Sequence, residues 1–208
     1  MKAILFDLDD TLVESMHVLE LALVHLFEKL EITMDANKAR EIFISMTMSE
    51  VIHYIKCNFD IEQDEAWMFN ELRKDVAYQY ANTIQAKPGA VEYIKSCASK
   101  NIKMAVLTSN YKEIVQVVLK RFEILECIDE IYSAEELHMS KREPDIYLYA
   151  LNQLRVECKD ACLFEDSIYA IQVAQKLGIE CIGLVNASNK SDFEVNHIKM
   201  ISDYTELL

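Results

Sequence analysis

The chain has 208 residues, 51% of them hydrophobic and 27% charged, enough apolar material for a well-buried core, which excludes disorder as the default state. Its formal net charge is −14, from 21 Lys and Arg against 35 Asp and Glu. No basic block interrupts it, so nucleic-acid backbones and anionic membranes are repelled and neither is expected as a partner.

The first element is the run Ile4-Leu5-Phe6-Asp7-Leu8-Asp9-Asp10-Thr11-Leu12-Val13, an apolar strand that ends in two aspartates one residue apart. Strand side chains alternate faces, so Asp7 and Asp9 leave a buried sheet on the same side. Two like charges there repel and resist desolvation, which suits a site that holds a divalent cation and divides nucleophile from acid/base work. Taken alone, Asp-x-Asp also matches any exposed acidic turn. From Glu14 to about Ile84 the periodicity is helical. Met16, Leu19, Leu23, Leu26, Phe27 and Leu30 recur at three- and four-residue steps as one buried face. Asp35 is placed to cap a second helix through Ile42 and Phe43, and Ser49 a third carrying Val51, Ile52 and Ile55. Asp60 with Gln63 reads as a capping box before a long helix past Trp67, Leu72 and Val76.

Pro88-Gly89 then punctuates the chain. Short apolar runs alternate with helical segments: helix 90–100, strand 102–107, helix 111–121, strand 130–133, helix 145–154, strand 161–165, helix 167–177 and strand 179–184. A last short strand and a helical turn follow from Ile198 to Leu208. This alternation predicts βαβ units around a parallel sheet, to which the first strand must belong because a lone strand cannot satisfy its backbone. Residues 1–14 and 85–208 are then an α/β core and 15–84 an all-helical insertion, with two crossings that suit a hinge.

Ligands of open parallel sheets bind beyond the carboxyl ends of the strands, so Asp7 and Asp9, Thr108, and Glu165 with Asp166 are expected to converge. Each has a plainer reading. Thr108-Ser109-Asn110 and Glu165-Asp166-Ser167 suit helix caps, and Lys141 suits a solvated loop. Their joint placement at strand ends favours a site.

Four segments in order carry a family resemblance. Phe6-Asp7-Leu8-Asp9-Asp10-Thr11-Leu12, Val106-Leu107-Thr108-Ser109-Asn110, Lys141-Arg142-Glu143-Pro144-Asp145 and Leu163-Phe164-Glu165-Asp166-Ser167 resemble motifs I to IV of the haloacid dehalogenase superfamily. Within it the likeness is to phosphatases of the β-phosphoglucomutase and phosphoglycolate phosphatase kind. The resemblance implies a Rossmann-like core with a helical cap inserted just after motif I. It also implies a Mg²⁺-dependent phosphomonoester hydrolase acting on a small cytosolic metabolite. Asp7 is then the nucleophile that forms an aspartyl-phosphate, and Asp9 protonates the leaving oxygen and deprotonates the hydrolytic water. Thr108, Ser109, Asn110 and Lys141 take the phosphoryl group. Mg²⁺ falls to Asp7, Asp166, the Asp9 carbonyl and Glu165.

Asp9 argues for phosphoryl transfer, because dehalogenases and phosphonate-cleaving relatives lack an acid at that place. Sugar-phosphate mutases usually carry a Gly, a His and a cap-loop Arg where this chain has Asp10, Leu19 and Met48. A second phosphate thus finds no obvious cation, and hydrolysis is preferred to the mutase reading. The other rival is a non-catalytic phosphate-binding regulatory module, which needs no nucleophile and proton donor together. Arg142 stands where a proline often follows the motif III lysine, and Ala170 where a glycine often follows motif IV. Arg142 either loosens that loop or adds a second cation for the phosphate.

His17, His25, His53, His138 and His197 show no metal-ligand spacing. Met34, Met46, Met48 and Met68 with Trp67 read as cap core, with Met46 and Met48 also suited to an apolar substrate wall. The six cysteines form no Cys-x-x-Cys pair and read as reduced and mostly buried. Met1-Lys2-Ala3 leads straight into the first strand, leaving no room for a signal peptide, and no uncharged apolar stretch reaches spanning length. Cytoplasm and a monomer or weak dimer are the expectation.

Overall fold

The structure is a computed structural model that describes residues 1–34, 42 and 48–208. Six parallel strands form one sheet: β1 Ala3–Phe6, β2 Lys103–Thr108, β3 Glu130–Ser133, β4 Ala161–Glu165, β5 Glu180–Leu184 and β6 Met200–Ile201, in the order β3-β2-β1-β4-β5-β6. The wholly apolar β1 is central and buried along its length, as a strand covered on both faces must be. Its neighbours are fixed in register, with Leu5 beside Ala105 and Leu163, and Phe6 beside Val106 and Phe164. The chain runs outward from β1 to β2 and β3, then returns to β4 on the other side. That reversal puts a crevice at the carboxyl ends of β1 and β4.

Alternation gives the sheet two distinct faces. Leu5, Leu107 and Leu163 pack with Tyr147, Ile171 and Phe193. On the other face Phe6 and Phe164 stack at 5.3 Å, and Tyr204 stacks on Phe164 at 5.4 Å with Tyr93 beside it. Gly89, at the amino end of helix α4 (Ala90–Ser99), has φ +74 and lies where an added Cβ would meet the Thr205 amide nitrogen at 2.7 Å. Only glycine serves at both counts. In β5, a Cβ on Gly183 would meet the buried Phe193 ring at 2.4 Å.

By internal contacts the chain divides into two compact units, Met1–Ser15 with Gln85–Leu208, and Met16–Ile84. In the second, helices α1 (Val18–Lys29), α2 (Met48–Asn58) and α3 (Glu65–Asn82) bury Leu23, Leu26, Phe27, Val51, Ile52, Ile55, Met68 and Leu72. Glu71 on α3 accepts from Lys29 at 2.6 Å and from Lys74 at 2.7 Å, tying the end of α1 to α3. The buried Gln79 donates to the Val18 carbonyl and to Asp75. In the first unit the helices are α4, α5 (Lys112–Arg121), α6 (Asp145–Leu154), α7 (Ile168–Lys176) and α8 (Lys190–Val195).

Several local expectations are corrected. Met16 precedes α1 and is 63% exposed, outside the buried face. Trp67 is 37% exposed, because Met68 and Leu72 take the inward stripe of α3. The cap of α3 is Asp64, whose side chain accepts from the Trp67 amide, and not Asp60. Residues 61–63 are drawn instead around Lys56, which donates to the carbonyls of Ile61 and Gln63. Helix α2 begins at Met48, so Ser49 lies inside its first turn. The helix assigned to Asp35 through Phe43, apart from Ile42, and the loop assigned to Ser45 through Thr47 with Met46 lie outside the described residues, as do the side chains of Met48 and Ser49. Of the six free cysteines, Cys97, Cys162 and Cys181 are buried and Cys57 is exposed, fewer buried than expected. Helix α8 has no counterpart in the sequence reading. No helix among the described residues is long and apolar enough to cross a membrane.

Candidate active site

At the end of β1 the Asp7 amide donates to the Phe164 carbonyl at 2.9 Å, extending the ladder one residue and fixing where the side chain starts. Asp7 is 4% exposed. Lys141 Nζ lies 2.6 Å from Asp7 Oδ1 and 2.6 Å from Glu165 Oε2, with Glu165 fully buried. The lysine comes from the segment between β3 and α6, and its carbonyl accepts from the buried Tyr147 hydroxyl at 2.9 Å. An α6 side chain thus anchors the loop that delivers the ammonium.

Burial works against the Lys141 charge, but Asp7 and Glu165 outweigh it and hold the ammonium well above its usual range. Glu165 is pushed up to about 8 by burial and then by Asp7, against the pull of Lys141. Asp166, next along, is pushed up to about 6 by burial and by Asp7. Asp7, Glu165 and Asp166 offer oxygens that all lie within 4.8 Å of one another. Three crowded carboxyls face one ammonium, and burial first, then the charge of Asp7, raises the titration of two of them. A hard divalent cation with oxygen ligands fits such a set, because it offsets the repulsion that burial magnifies.

Asp9 takes a different place. Half-buried, it accepts from Asn110 Nδ2 at 2.7 Å, and its carboxylate is not part of the three-oxygen cluster. Asn110 therefore meets Asp9, while Thr108, fully buried at the end of β2, accepts from the Asn110 amide at 3.0 Å. Ser109 is exposed and lines a cavity of about 200 Å³ together with Lys141. The turn after Asp9 is closed by a reciprocal pair, the Asp10 amide donating to Ser15 Oγ and the Ser15 amide to Asp10 Oδ1. Asp10 itself sits at φ 53, a left-handed conformation that Asp tolerates better than most side chains.

Two further residues support these carboxyls, Ser167 within the fourth motif and Asn189 outside any of the four. The Ser167 amide donates to Glu165 Oε1 and its hydroxyl to Asp166 Oδ1, both at 3.1 Å. Asn189, 8% exposed, donates to the carbonyls of Asp166 and Leu184 and so ties the end of β4 to the end of β5. An isolated asparagine in a polar stretch gives no signal of this, and only the unrecognised α8, which it precedes, would have marked it as a cap.

A sequence-family profile described as haloacid dehalogenase-like hydrolase matches residues 4–184. Validoxylamine A 7'-phosphate phosphatase from Streptomyces hygroscopicus subsp. limoneus is 24% identical over 99% of this chain and 95% of its own. A phosphorylated carbohydrates phosphatase from Thermotoga maritima is 30% identical over 53% of this chain and 51% of its own, so that match spans about half of either protein. Among solved structures, CbbY from Rhodobacter sphaeroides in complex with phosphate shares 24% identity at TM-score 0.77, covering 100% of this chain and 96% of that one. That likeness is one of fold.

Proposed function

The chain belongs to the haloacid dehalogenase-like hydrolases, and from that membership we propose that it hydrolyses phosphomonoesters of small metabolites with Mg²⁺ through an aspartyl-phosphate on Asp7. The observation that carries this reading is one buried carboxylate held by an ammonium, Asp7 with Lys141 at 2.6 Å, at a strand end that also carries Asp9, a second carboxyl that accepts from the Asn110 amide. One group suits attack and the other proton transfer. Phosphatase relatives support the same class of substrate.

In this reading Asp7 attacks phosphorus and the ester P–O bond breaks as the acyl-phosphate bond forms. Asp9 gives its proton to the departing alkoxide. It then takes a proton from the water that cleaves the acyl phosphate, which returns Asp7 and releases inorganic phosphate. Lys141 keeps Asp7 oriented and supplies positive charge toward the transferring group. Thr108 and Ser109 at the end of β2 are assigned to its oxygens. Asp7, Asp166, Glu165 and the Asp9 carbonyl are assigned to Mg²⁺, which when bound offsets the charge of nucleophile and phosphate. The helical unit Met16–Ile84 is assigned the part of a cap that selects the substrate.

The test is phosphate release from an aryl phosphate with Mg²⁺, paired with borohydride reduction of enzyme quenched during turnover. Homoserine at position 7 is the expected product, since reduction of an aspartyl-phosphate yields it. The Asp7→Asn protein should retain its fold and lose turnover by at least about a thousandfold. Full activity in that variant, or no homoserine at position 7 in active enzyme, overturns the covalent route.

A further inference from the structure

Arg142 immediately follows the lysine that holds the nucleophile, and its guanidinium lies 4.1 Å from the centroid of the Tyr169 ring. Tyr169 is half-buried in the first turn of α7, three residues beyond Asp166. Arg142 and Tyr169, with Lys141, Ser109 and Ser140, line a cavity of about 200 Å³ that shares Lys141 with the candidate active site. The Arg142 amide donates to Ser140 Oγ at 3.1 Å, which shapes the loop that presents the side chain.

The charges in that cavity are not equivalent. Lys141 is already matched by Asp7 and Glu165, whereas Arg142 makes no ion pair among the described residues. An aromatic face under a guanidinium fixes its plane and leaves its edge N–H groups outward, the arrangement that binds a planar or tetrahedral oxyanion in bidentate fashion. Glu135 also lines the cavity and is exposed. Its charge opposes diffuse attraction of anions, so binding there requires direct contact with the guanidinium. A volume of about 200 Å³ admits an oxyanion and a few carbons, below the range of pockets that take whole drug-sized ligands.

Resting on the phosphatase reading above, we propose that Arg142, braced on Tyr169, is a specificity-determining residue that binds a second anionic group of the substrate, remote from the phosphate presented to Asp7. The preferred substrates are then phosphorylated compounds with a further carboxylate or phosphate, in preference to sugar phosphates whose single phosphate is their one anionic group. The test compares kcat/KM for 6-phosphogluconate, fructose 1,6-bisphosphate and glucose 6-phosphate in wild type, Arg142→Ala, Arg142→Lys and Tyr169→Leu, each checked for unchanged melting.

Wild type should favour at least one of the two substrates that carry a second anionic group over glucose 6-phosphate by about tenfold or more, and which one identifies the oxyanion. Arg142→Ala should collapse that ratio toward one through KM, with kcat for the favoured substrate little changed. Arg142→Lys should restore only part of it, since an ammonium neither forks nor stacks in the same way, and Tyr169→Leu should fall between. Equal kcat/KM across the three substrates in wild type, or a ratio unmoved by Arg142→Ala, overturns the assignment to Arg142. Absence of phosphate release from these substrates and from an aryl phosphate alike is a different result, and overturns the phosphatase reading itself.

Discussion

Asp7 and Asp9 lie two residues apart and meet different side chains. Lys141 brings a charge to Asp7 at 2.6 Å, and Asn110 brings a neutral amide to Asp9 at 2.7 Å. A neutral donor orients a carboxyl without demanding that it stay ionised, which is what a proton donor needs. Asp9→Asn should therefore slow an alkyl phosphate, whose alkoxide leaves poorly, by roughly 10²–10⁴ in single turnover, and an aryl phosphate far less. Asn110→Ala should act in the same direction by about tenfold. An equal loss for both leaving groups in the chemical step would deny Asp9 the role. The two aspartates were legible because period-two alternation and charge repulsion speak from neighbouring positions. The partnership of Asn110 with Asp9 spans 101 residues, and that of Asn189 with the Asp166 carbonyl 23, so neither leaves a local pattern to read.

Strands and helices were legible where burial on both faces removes ambiguity. The segments expected for β3, β4 and α6 coincide with their observed spans, Glu130–Ser133, Ala161–Glu165 and Asp145–Leu154. Helix α8 is six residues long with Phe193 its one buried side chain, too short for a 3.6-residue period to show. The start of α3 was misplaced because Asp60 and Asp64 both suit an N-cap, and only the reach of Lys56 to Ile61 and Gln63 decides between them. Within α3, Glu71 makes a measurable prediction. Its hydrogen bonds to Lys29 and Lys74 lower its titration from an ordinary 4.5 to about 2. A carboxyl depressed on folding stabilises fully above its unfolded pKa, and the contribution is lost as pH falls from about 4.5 toward 2. Glu71→Gln should thus lower the urea midpoint at pH 6, followed by the fluorescence of Trp67, the single tryptophan. The gap from wild type should close as pH falls through that window. A gap of constant size would show that packing, and not the ion pairs, is what the substitution disturbs.

At the scale of the whole molecule, the two crossings between the units are paired where they adjoin the sheet. The Glu14 amide donates to the Gln85 carbonyl at 2.9 Å and the Lys87 amide to the Leu12 carbonyl at 2.8 Å, with Val13 bridging Ala86 in antiparallel fashion. Such pairing is invisible to a reading that sees residues 14 and 85 only as the ends of a helical stretch. Net charge, by contrast, is fully legible, and it sets a kinetic expectation. At −14 the protein repels an anionic ester at long range, while Lys141 and Arg142 act only over a few ångströms. Raising KCl from 10 to 150 mM shortens the screening length from about 30 to about 8 Å, which removes the long-range repulsion and leaves contact interactions largely intact. At fixed free Mg²⁺, kcat/KM for a phosphomonoester should then rise by roughly two- to fivefold over that range with kcat nearly constant. A fall in kcat/KM would mean that the field at the mouth of the site is positive despite the acidic surface, and that local cations, not the average charge, govern the approach of substrate.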